Sequence, residues 1–261
     1  MIIASICSIP DRLNSLITVL DKLKNQSVKP DILYVTISKY YPRSKKLYDE
    51  NHFFTLKTYL DEYDIPNKLI VYENDIGPTL KLITPLRFHK FTSPNDFIFT
   101  LDDDTPLYER TIETLTLAHE RNKNAVYALS GARQGKFFHA EILPEGYHYF
   151  EIDIVGGYRG VLYPISLIDK TALFKWIDMF VDTCAKNKSI PMHDDHIFSY
   201  YFKYKNIPRR VSDSPFTREF TYTTIPNEDG IFKDENTNKN MEIINNTLYD
   251  KELNWVVDNP L

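Results

Sequence analysis

The chain has few of the features that mark specialised classes of protein. Its 261 residues include only two cysteines, Cys7 and Cys184, which can form neither a disulfide framework nor a thiolate metal site. The sequence has no apolar run long enough to span a bilayer and no signal peptide, so we expect a cytoplasmic protein without a transmembrane segment. The formal net charge of −5 leaves no basic surplus, which argues against a nucleic-acid partner.

What the chain does contain is a regular alternation of strand-like and helix-like segments. Its hydrophobic content of 43% and charged content of 26% are ordinary for a globular enzyme. Short apolar runs predict strands at 2–7, 32–37, 69–72, 97–101 and 126–129. Apolar residues at helical spacing predict helices at 13–23, within 43–63, from 80 onward, and at 107–121, 173–185 and 197–205. This alternation predicts an α/β protein in which helices cover a mainly parallel sheet.

The pattern changes at two points along the chain. From Gly131 to Pro164 glycines and aromatic residues dominate, and we expect short strands that fold over the carboxyl edge of the sheet. Past Pro208 the chain is polar and rich in asparagine. We therefore predict one domain over residues 1–210 and an irregular tail over 211–261 that packs on it. A flexible or partner-docking tail is the alternative.

Three consecutive aspartates, Asp102, Asp103 and Asp104, follow the apolar strand at 97–101. Because side chains alternate along a strand, we expect Asp102 and Asp104 on one side and Asp103 on the other. Neighbouring carboxylates repel each other, and a divalent cation that prefers oxygen ligands relieves the repulsion. The motif therefore predicts a Mg²⁺ or Mn²⁺ site at the carboxyl end of a central strand, where open α/β sheets bind ligands. The alternative is a solvated acidic turn that caps the next helix.

Several short motifs, taken in their order along the chain, resemble those of family 2-like glycosyltransferases with the GT-A fold. The first strand ends in Ser-Ile-Pro-Asp-Arg at 8–12, a Gly-Pro-x-x-Lys turn occupies 77–81, and 102–104 matches an Asp-x-Asp motif. Gly156-Gly157 and Asp194-Asp195 fall where that family's acceptor loop and catalytic acid are expected. The resemblance covers about residues 1–205. It implies a GT-A-like, Rossmann-type three-layer α/β/α sandwich with a nucleotide-binding half at 1–130 and an acceptor half at 131–210.

The resemblance also implies an activity. A sugar would pass from a nucleoside-diphosphate sugar, with a UDP-sugar favoured, to a hydroxyl of a glycan or glycoconjugate. A metal ion held by Asp102 and Asp104 would neutralise the departing diphosphate. One of the flanking aspartates, Asp102 or Asp103, would bind the ribose hydroxyls and not the metal. The other residues implied in binding the donor are Ser8, Pro10, Arg12, Asp75, Lys81, Gly156 and Gly157.

Three of these residues also have simpler interpretations. Arg12 either contacts a phosphate or forms a weak surface pair with Asp11. Asp75 either receives the base or ribose of the nucleotide or only opens the turn before Gly77. Lys81 either reaches the diphosphate, or orients Asp75, or is a solvated helix lysine.

A second candidate site follows at the start of the last predicted helix. An inverting transfer needs a general base near the acceptor oxygen, and Asp194 or Asp195 is the candidate. The alternative is that Asp194 caps the helix. His196 is a candidate third metal ligand, although lone histidines are more often structural. Gly156-Gly157 forms either a wall over the transferred sugar or a plain β-turn.

Two other functions compete with sugar transfer. A sugar-nucleotide nucleotidyltransferase is built on a similar sheet, but its triphosphate calls for a glycine-rich, basic first loop, and residues 8–12 contain no glycine. A non-catalytic relative that only binds a sugar or nucleotide would keep the fold and lack turnover.

Overall fold

The computed structural model describes residues 1–42, 45–134, 136–139, 149–188 and 192–212, together with 242, 243 and 246. Strands and helices alternate through its first half. The strands there are β1 (Ile2–Cys7), β2 (Ile32–Tyr41), β3 (Lys46–Leu47), β4 (Asn67–Asn74), β5 (Phe97–Leu101) and β6 (Val126–Ala128). The helices are α1 (Leu13–Lys24), α2 (Glu50–Asp61), α3 (Leu80–Phe88) and α4 (Thr111–Arg121).

The second half contains short strands followed by two helices and a last strand. The strands are β7 (Ser130–Arg133), β8 (Lys136–His139), β9 (Tyr149–Glu151), β10 (Ile154–Val155), β11 (Val161–Pro164) and β12 (Arg209–Ser212). The helices are α5 (Lys170–Lys186) and α6 (Asp194–Tyr204). Within the part of the chain that the structure describes, every helix is too short or too polar to cross a membrane.

The central sheet is mixed and mostly parallel, with helices on both sides, which confirms the predicted α/β fold class. Its strands run in the order β4-β2-β1-β5-β11-β6-β12-β9, and β3 pairs with the end of β2. Neighbours from β4 through β5 are parallel, as are β6 and β12. Strand β11 runs antiparallel to both β5 and β6. A separate three-stranded sheet has the order β10-β7-β8.

Burial explains why the central strands read as continuous apolar runs. Strands β1 and β5 lie in the middle of the sheet, so both of their faces are covered and their apolar residues are buried. Helix α1 buries one apolar stripe, at Leu13, Leu16, Val19, Leu20 and Leu23, as its 3.6-residue period predicts. Since β1 and β5 are parallel and Ile6 lies opposite Leu101, the segments that follow both strands emerge side by side at one edge.

Two expectations about the second half were wrong. Part of the segment from Gly131 to Pro164 does not fold over the edge of the sheet, because β11 inserts between β5 and β6. The chain past Pro208 does not become irregular at once, because β12 is a fully buried strand paired with β6 and β9. β12 extends two residues past the boundary predicted at residue 210. The rest of the predicted tail lies outside the described residues, apart from 242, 243 and 246.

Candidate active site

Four segments meet at the carboxyl edge of the central sheet. The turn 8–12 follows β1, residues 102–104 follow β5, and α3 begins shortly after β4. The start of α6 joins them from the second half, because Lys81 of α3 pairs with Asp194. The structure thus brings together motifs that are separated by up to about 185 residues in the sequence.

Arg12 anchors the first group of charges, which we name the Arg12 cluster: Ser8, Arg12, Asp103 and Asp104. One Arg12 terminal nitrogen lies 2.8 Å from Asp103 Oδ1 and 3.1 Å from Asp104 Oδ2. The Ser8 hydroxyl donates to the other oxygen of Asp103 at 2.5 Å. Asp11 pairs with Lys46 instead, so the interpretation of Arg12 as a surface partner of Asp11 was wrong.

Burial and charge oppose each other in this cluster. Burial raises the pKa of Asp103, and the Arg12 guanidinium acts against that rise. Burial also favours the neutral form of Arg12, but the carboxylates of Asp103 and Asp104 outweigh it and raise the pKa of Arg12. Because both oxygens of Asp103 are already bonded and the residue is buried, a direct contact between Asp103 and ribose hydroxyls is disfavoured.

The expected alternation of the aspartates fails for a geometric reason. Strand β5 ends at Leu101, and Asp103 and Asp104 lie in a turn. The two-residue period of a strand therefore no longer applies. Asp103 and Asp104 share Arg12, whereas Asp102 bonds to Lys81.

Lys81 anchors the second group, the Lys81 cluster: Lys81, Asp102, Asp194, Asp195 and Gly157. Its ammonium nitrogen lies 2.6 Å from Asp102 Oδ1 and 2.8 Å from Asp194 Oδ2. The Lys81 side chain is only 2% exposed, so the interpretation as a solvated helix lysine was wrong. Burial acts to lower the pKa of Lys81, but the charges of Asp102, Asp194 and Asp195 prevail and raise it well above its usual value.

The two carboxylates at the start of α6 have different surroundings. Asp195 Oδ2 accepts a hydrogen bond of 3.0 Å from the Gly157 amide. Asp195 Oδ1 is buried and has no hydrogen-bond partner in the described part of the chain. Burial, followed by the charge of Asp194, raises the pKa of Asp195 to about 8. Burial also raises the pKa of Asp194, against the effect of Lys81.

The capping alternative for Asp194 was wrong. Helix α6 starts at Asp194 itself, and the residue in the cap position is His193, whose side chain makes no capping hydrogen bond. Asp194 is instead buried against Lys81. Its carboxylate thus belongs to the charge cluster, a role that the sequence analysis did not anticipate.

The remaining predicted residues lie around these clusters. Pro10 is buried in a short 3₁₀ turn with Arg12. Asp75 Oδ1 accepts from the Gly77 amide at 2.9 Å, as the turn interpretation expects, which neither requires nor excludes a nucleotide contact. Gly156 packs against Ser130, where a Cβ would come within 2.4 Å of the Ser130 hydroxyl. Tyr147 and His148, whose rings are of a kind that can stack on an acceptor sugar, lie outside the described residues.

The Lys81 cluster leaves no room for a side chain at position 157. A Cβ at this position would lie 2.5 Å from Asp195 Oδ1 and 2.9 Å from the Lys81 nitrogen. Both distances are too short for a side chain to be accommodated without moving those groups. The Gly-Gly pair therefore allows the backbone to approach the charged side chains closely.

The structure does not assemble the predicted metal ligands into one group. Among the described residues no three His, Cys, Asp or Glu side chains are arranged to hold a metal ion, so Asp102, Asp104 and His196 do not form a cage. The His196 ring instead lies 5.8 Å from that of His193, and burial lowers the pKa of His196 to about 4.

The aspartates nevertheless fit a metal ion that binds together with a phosphate ligand. The side chains of Asp102 and Asp104 are 32% and 24% exposed. Mg²⁺ is commonly held by one or two carboxylates, water and substrate phosphates, without a cage made only of protein.

Tyr41 supports the site and was not identified from the sequence. Its hydroxyl donates to the Ser8 carbonyl at 2.5 Å and accepts from the Ser38 amide at 2.7 Å. Strand β2 extends four residues beyond its predicted end at 37 and carries Tyr41 to this point. The signal was the aromatic pair Tyr40-Tyr41, which continues the β-branched and aromatic character of the strand.

Comparisons with known proteins bear on the fold. No protein-family model matches the chain, and no curated protein matches it. Among solved structures, the chain is similar to Staphylococcus aureus TarS residues 1–349 in complex with UDP-GlcNAc, with a TM-score of 0.56 at 12% identity. That match covers 96% of this chain and 67% of the TarS chain.

The second similar structure is an enzyme of another kind. It is 4-diphosphocytidyl-2C-methyl-D-erythritol synthase from Anaerococcus prevotii, with a TM-score of 0.50 at 13% identity. The match covers 95% of this chain and 97% of that one. The sheet order, the helices on both sides and these two likenesses together show that the chain has the GT-A-like fold that its motifs predict.

Proposed function

We propose that this protein is a transferase that moves a sugar from a nucleoside-diphosphate sugar to an acceptor hydroxyl. A UDP-sugar is the favoured donor, and a glycan or glycoconjugate is the favoured acceptor. The observation that carries the proposal is that one buried cation, Lys81, contacts both Asp102 at the tip of β5 and Asp194 at the start of α6, next to Asp195. The likeness to a structure that binds UDP-GlcNAc supports the choice of donor.

The reaction requires one proton transfer by the protein. The acceptor oxygen attacks the anomeric carbon, the bond from that carbon to the diphosphate oxygen breaks, and a base removes the proton of the acceptor. Neither Asp195 Oδ1 nor Asp194 Oδ2 makes a hydrogen bond in the described residues, but Asp194 Oδ2 lies 2.8 Å from the Lys81 nitrogen. We assign the base to Asp195, because Asp194 is held in this ion pair. A pKa of about 8 suits this role, since a general base works best when its pKa is near the working pH.

On the donor side, the reaction requires stabilisation of negative charge. The nucleoside diphosphate gains negative charge as it departs, and the strand tip where it would bind is already acidic. Mg²⁺ or Mn²⁺ held by Asp102 and Asp104 would supply Lewis-acid stabilisation of that charge. Arg12 keeps Asp104 in place, and Lys81 does the same for Asp102. A base on the side of the sugar away from the diphosphate would give inversion.

A nucleotidyltransferase is the second candidate, favoured by the likeness to the 4-diphosphocytidyl-2C-methyl-D-erythritol synthase. Such an enzyme releases pyrophosphate from a nucleoside triphosphate. The turn after β1 argues against it, because this turn has no glycine and its arginine is engaged by Asp103 and Asp104. The triphosphate would therefore meet neither the backbone cradle nor the unpaired positive charge that it needs.

One set of measurements separates these functions. Calorimetry with UDP and a panel of UDP- and GDP-sugars, with Mn²⁺ or Mg²⁺ present, should show binding of at least one donor. Slow release of nucleoside diphosphate from that donor should follow. Absence of binding to every nucleotide sugar would refute the proposal, whereas pyrophosphate release from a triphosphate and a sugar phosphate would establish the second candidate. Binding without turnover across a panel of acceptors would indicate a binding module.

A further inference from the structure

We propose that Lys81 is a positioning residue: its buried ammonium group holds the donor-side carboxylate Asp102 and the acceptor-side carboxylate Asp194 at a fixed separation. This inference rests on the proposed function, which names the donor and acceptor sides. It differs from the sequence-based expectation that Lys81 reaches the diphosphate. The argument depends on where the ammonium group lies and on which elements its partners occupy.

The ammonium group is enclosed by the protein. Lys81 is 2% exposed, and its nitrogen lies within 2.8 Å of carboxylates on two different elements, the tip of β5 and the start of α6. A missing Cβ at Gly157 leaves room for it, since that atom would lie 2.9 Å away. A diphosphate could reach the nitrogen only by displacing Asp102 or Asp194.

The bridge connects two segments that are far apart in the sequence. Asp102 belongs to the first half of the chain and Asp194 to the second, and they are 92 residues apart in sequence. Opposite charges in a poorly hydrated site attract strongly, and hydrogen bonds to charged groups fix direction as well as distance. Lys81 therefore sets the distance between the group that steadies the donor and the helix that carries the base.

The contact between Lys81 and Asp194 makes the two carboxylates at the start of α6 different from each other. Asp194 is held by Lys81, and Asp195 by the Gly157 amide through one oxygen only. The other oxygen of Asp195 is buried and makes no hydrogen bond in the described part of the chain. Lys81 acts on the reaction through these carboxylates and does not touch the reacting atoms.

A charge-neutral double variant tests this role. Lys81→Met combined with Asp194→Asn removes one positive and one negative charge, so the net charge of the site is unchanged and position 194 does not become a buried carboxylate without its cation. The matched control is Lys175→Met with Asp178→Asn, which makes the same change at two exposed positions of α5. We expect kcat of the double variant to fall by about 10²-fold, since a misplaced reactive group costs roughly that much.

The affinity for UDP measured without a divalent cation, and therefore independent of any metal held by Asp102, should remain within about twofold of that of the unaltered protein, because Lys81 makes no direct contact with the diphosphate. A loss of affinity of tenfold or more would overturn the proposal, because it would mean that Lys81 binds the diphosphate. An unchanged kcat in a folded variant would overturn it as well, since Lys81 would then be only structural.

Gly157→Ala provides an independent test that removes no charge. The added Cβ pushes against the ends of Asp195 and Lys81, which are flexible side-chain atoms, so the fold should survive while the cluster is displaced. We expect a fall in kcat with UDP affinity retained. Retention of full kcat would contradict the proposal.

Crystal structures of the unaltered protein and of the double variant supply a readout that does not depend on activity. We expect the carboxylates of Asp102 and Asp195 to take new positions in the variant, and unchanged positions would overturn the inference. If the unaltered protein binds no nucleotide sugar, the proposed function fails, but this structural comparison still decides whether Lys81 positions the two carboxylates.

Discussion

The Arg12 cluster and the Lys81 cluster share one arrangement of charges but connect different parts of the molecule. In each, one cation lies between two aspartates at the carboxyl edge of the sheet. Arg12 joins the segments after β1 and β5, which are adjacent strands of the same half. Lys81 joins the tip of β5 to α6, in the other half. The comparison teaches that Arg12 stabilises a local turn arrangement, whereas Lys81 links carboxylates that come from both halves of the chain.

The largest expected effect comes from the base of the Lys81 cluster. Asp195→Asn keeps an oxygen that can accept from the Gly157 amide but removes the proton acceptor. We expect turnover to fall by about 10²- to 10⁴-fold, the usual contribution of a general base. UDP affinity in the presence of Mn²⁺ should change little. Asp182→Asn, at an exposed position of α5, is the control, and equal turnover in the two variants would rule out Asp195 as the base.

The central member of the Arg12 cluster should affect stability more than the chemical step. Within the described part of the chain, Arg12→Gln leaves the buried Asp103 with the Ser8 hydroxyl as its remaining side-chain partner. Breaking a buried ion pair at one partner costs on the order of 3 kcal/mol of unfolding free energy. Urea denaturation measures this loss. If kcat, corrected for the folded fraction, fell as far as in the Lys81 double variant, the proposed difference between the clusters would be refuted.

A smaller loss of stability is expected from Ser8→Ala. The hydroxyl donates to a buried carboxylate oxygen that would lose this partner, while Arg12 stays in contact with the other oxygen. We expect a loss of about 1–2 kcal/mol in the free energy of unfolding, as for an unsatisfied buried acceptor. A loss no greater than experimental error would show that water replaces the hydroxyl.

The smallest effect is expected where a similar ion pair lies at the surface. Lys46 pairs with Asp11 at 2.6 Å, but the two side chains are 53% and 27% exposed. Exposed pairs contribute about 0–1 kcal/mol, so Lys46→Met should change the free energy of unfolding by less than about 1 kcal/mol. A loss as large as that of Arg12→Gln would mean that burial does not distinguish these pairs.

The accuracy of the sequence-based predictions follows the range of the interactions involved. Strands β1 and β5 and helix α1 were predicted nearly to the residue, because their apolar periodicity reflects burial along a single element. Strand β12 was missed because its sequence, Arg-Arg-Val-Ser, lacks the apolar pattern that predicts a buried strand. They become a strand only because β6 and β9 pair with them.

The candidate site shows the same division. The motif at 102–104 was identified from its residues, and those at 8–12, 77–81 and 194–195 from their resemblance to glycosyltransferase motifs; the structure brings all four together. Their pairings were not predictable. Arg12 bonds to both Asp103 and Asp104 because β5 ends at Leu101 and the two aspartates lie in a turn. Lys81 is buried because α6 is placed beside it.

The sequence by itself determined the alternation of strands and helices, and thus the edge of the sheet at which the acidic motif emerges. It also determined which residue types are present there, because covalent order and side-chain chemistry are local properties. Only the tertiary structure decided which carboxylate meets which cation and which oxygen of Asp195 is left unpaired. Charge pairing depends on distances of a few ångströms between residues far apart in the chain, and those distances exist only after the two halves have packed.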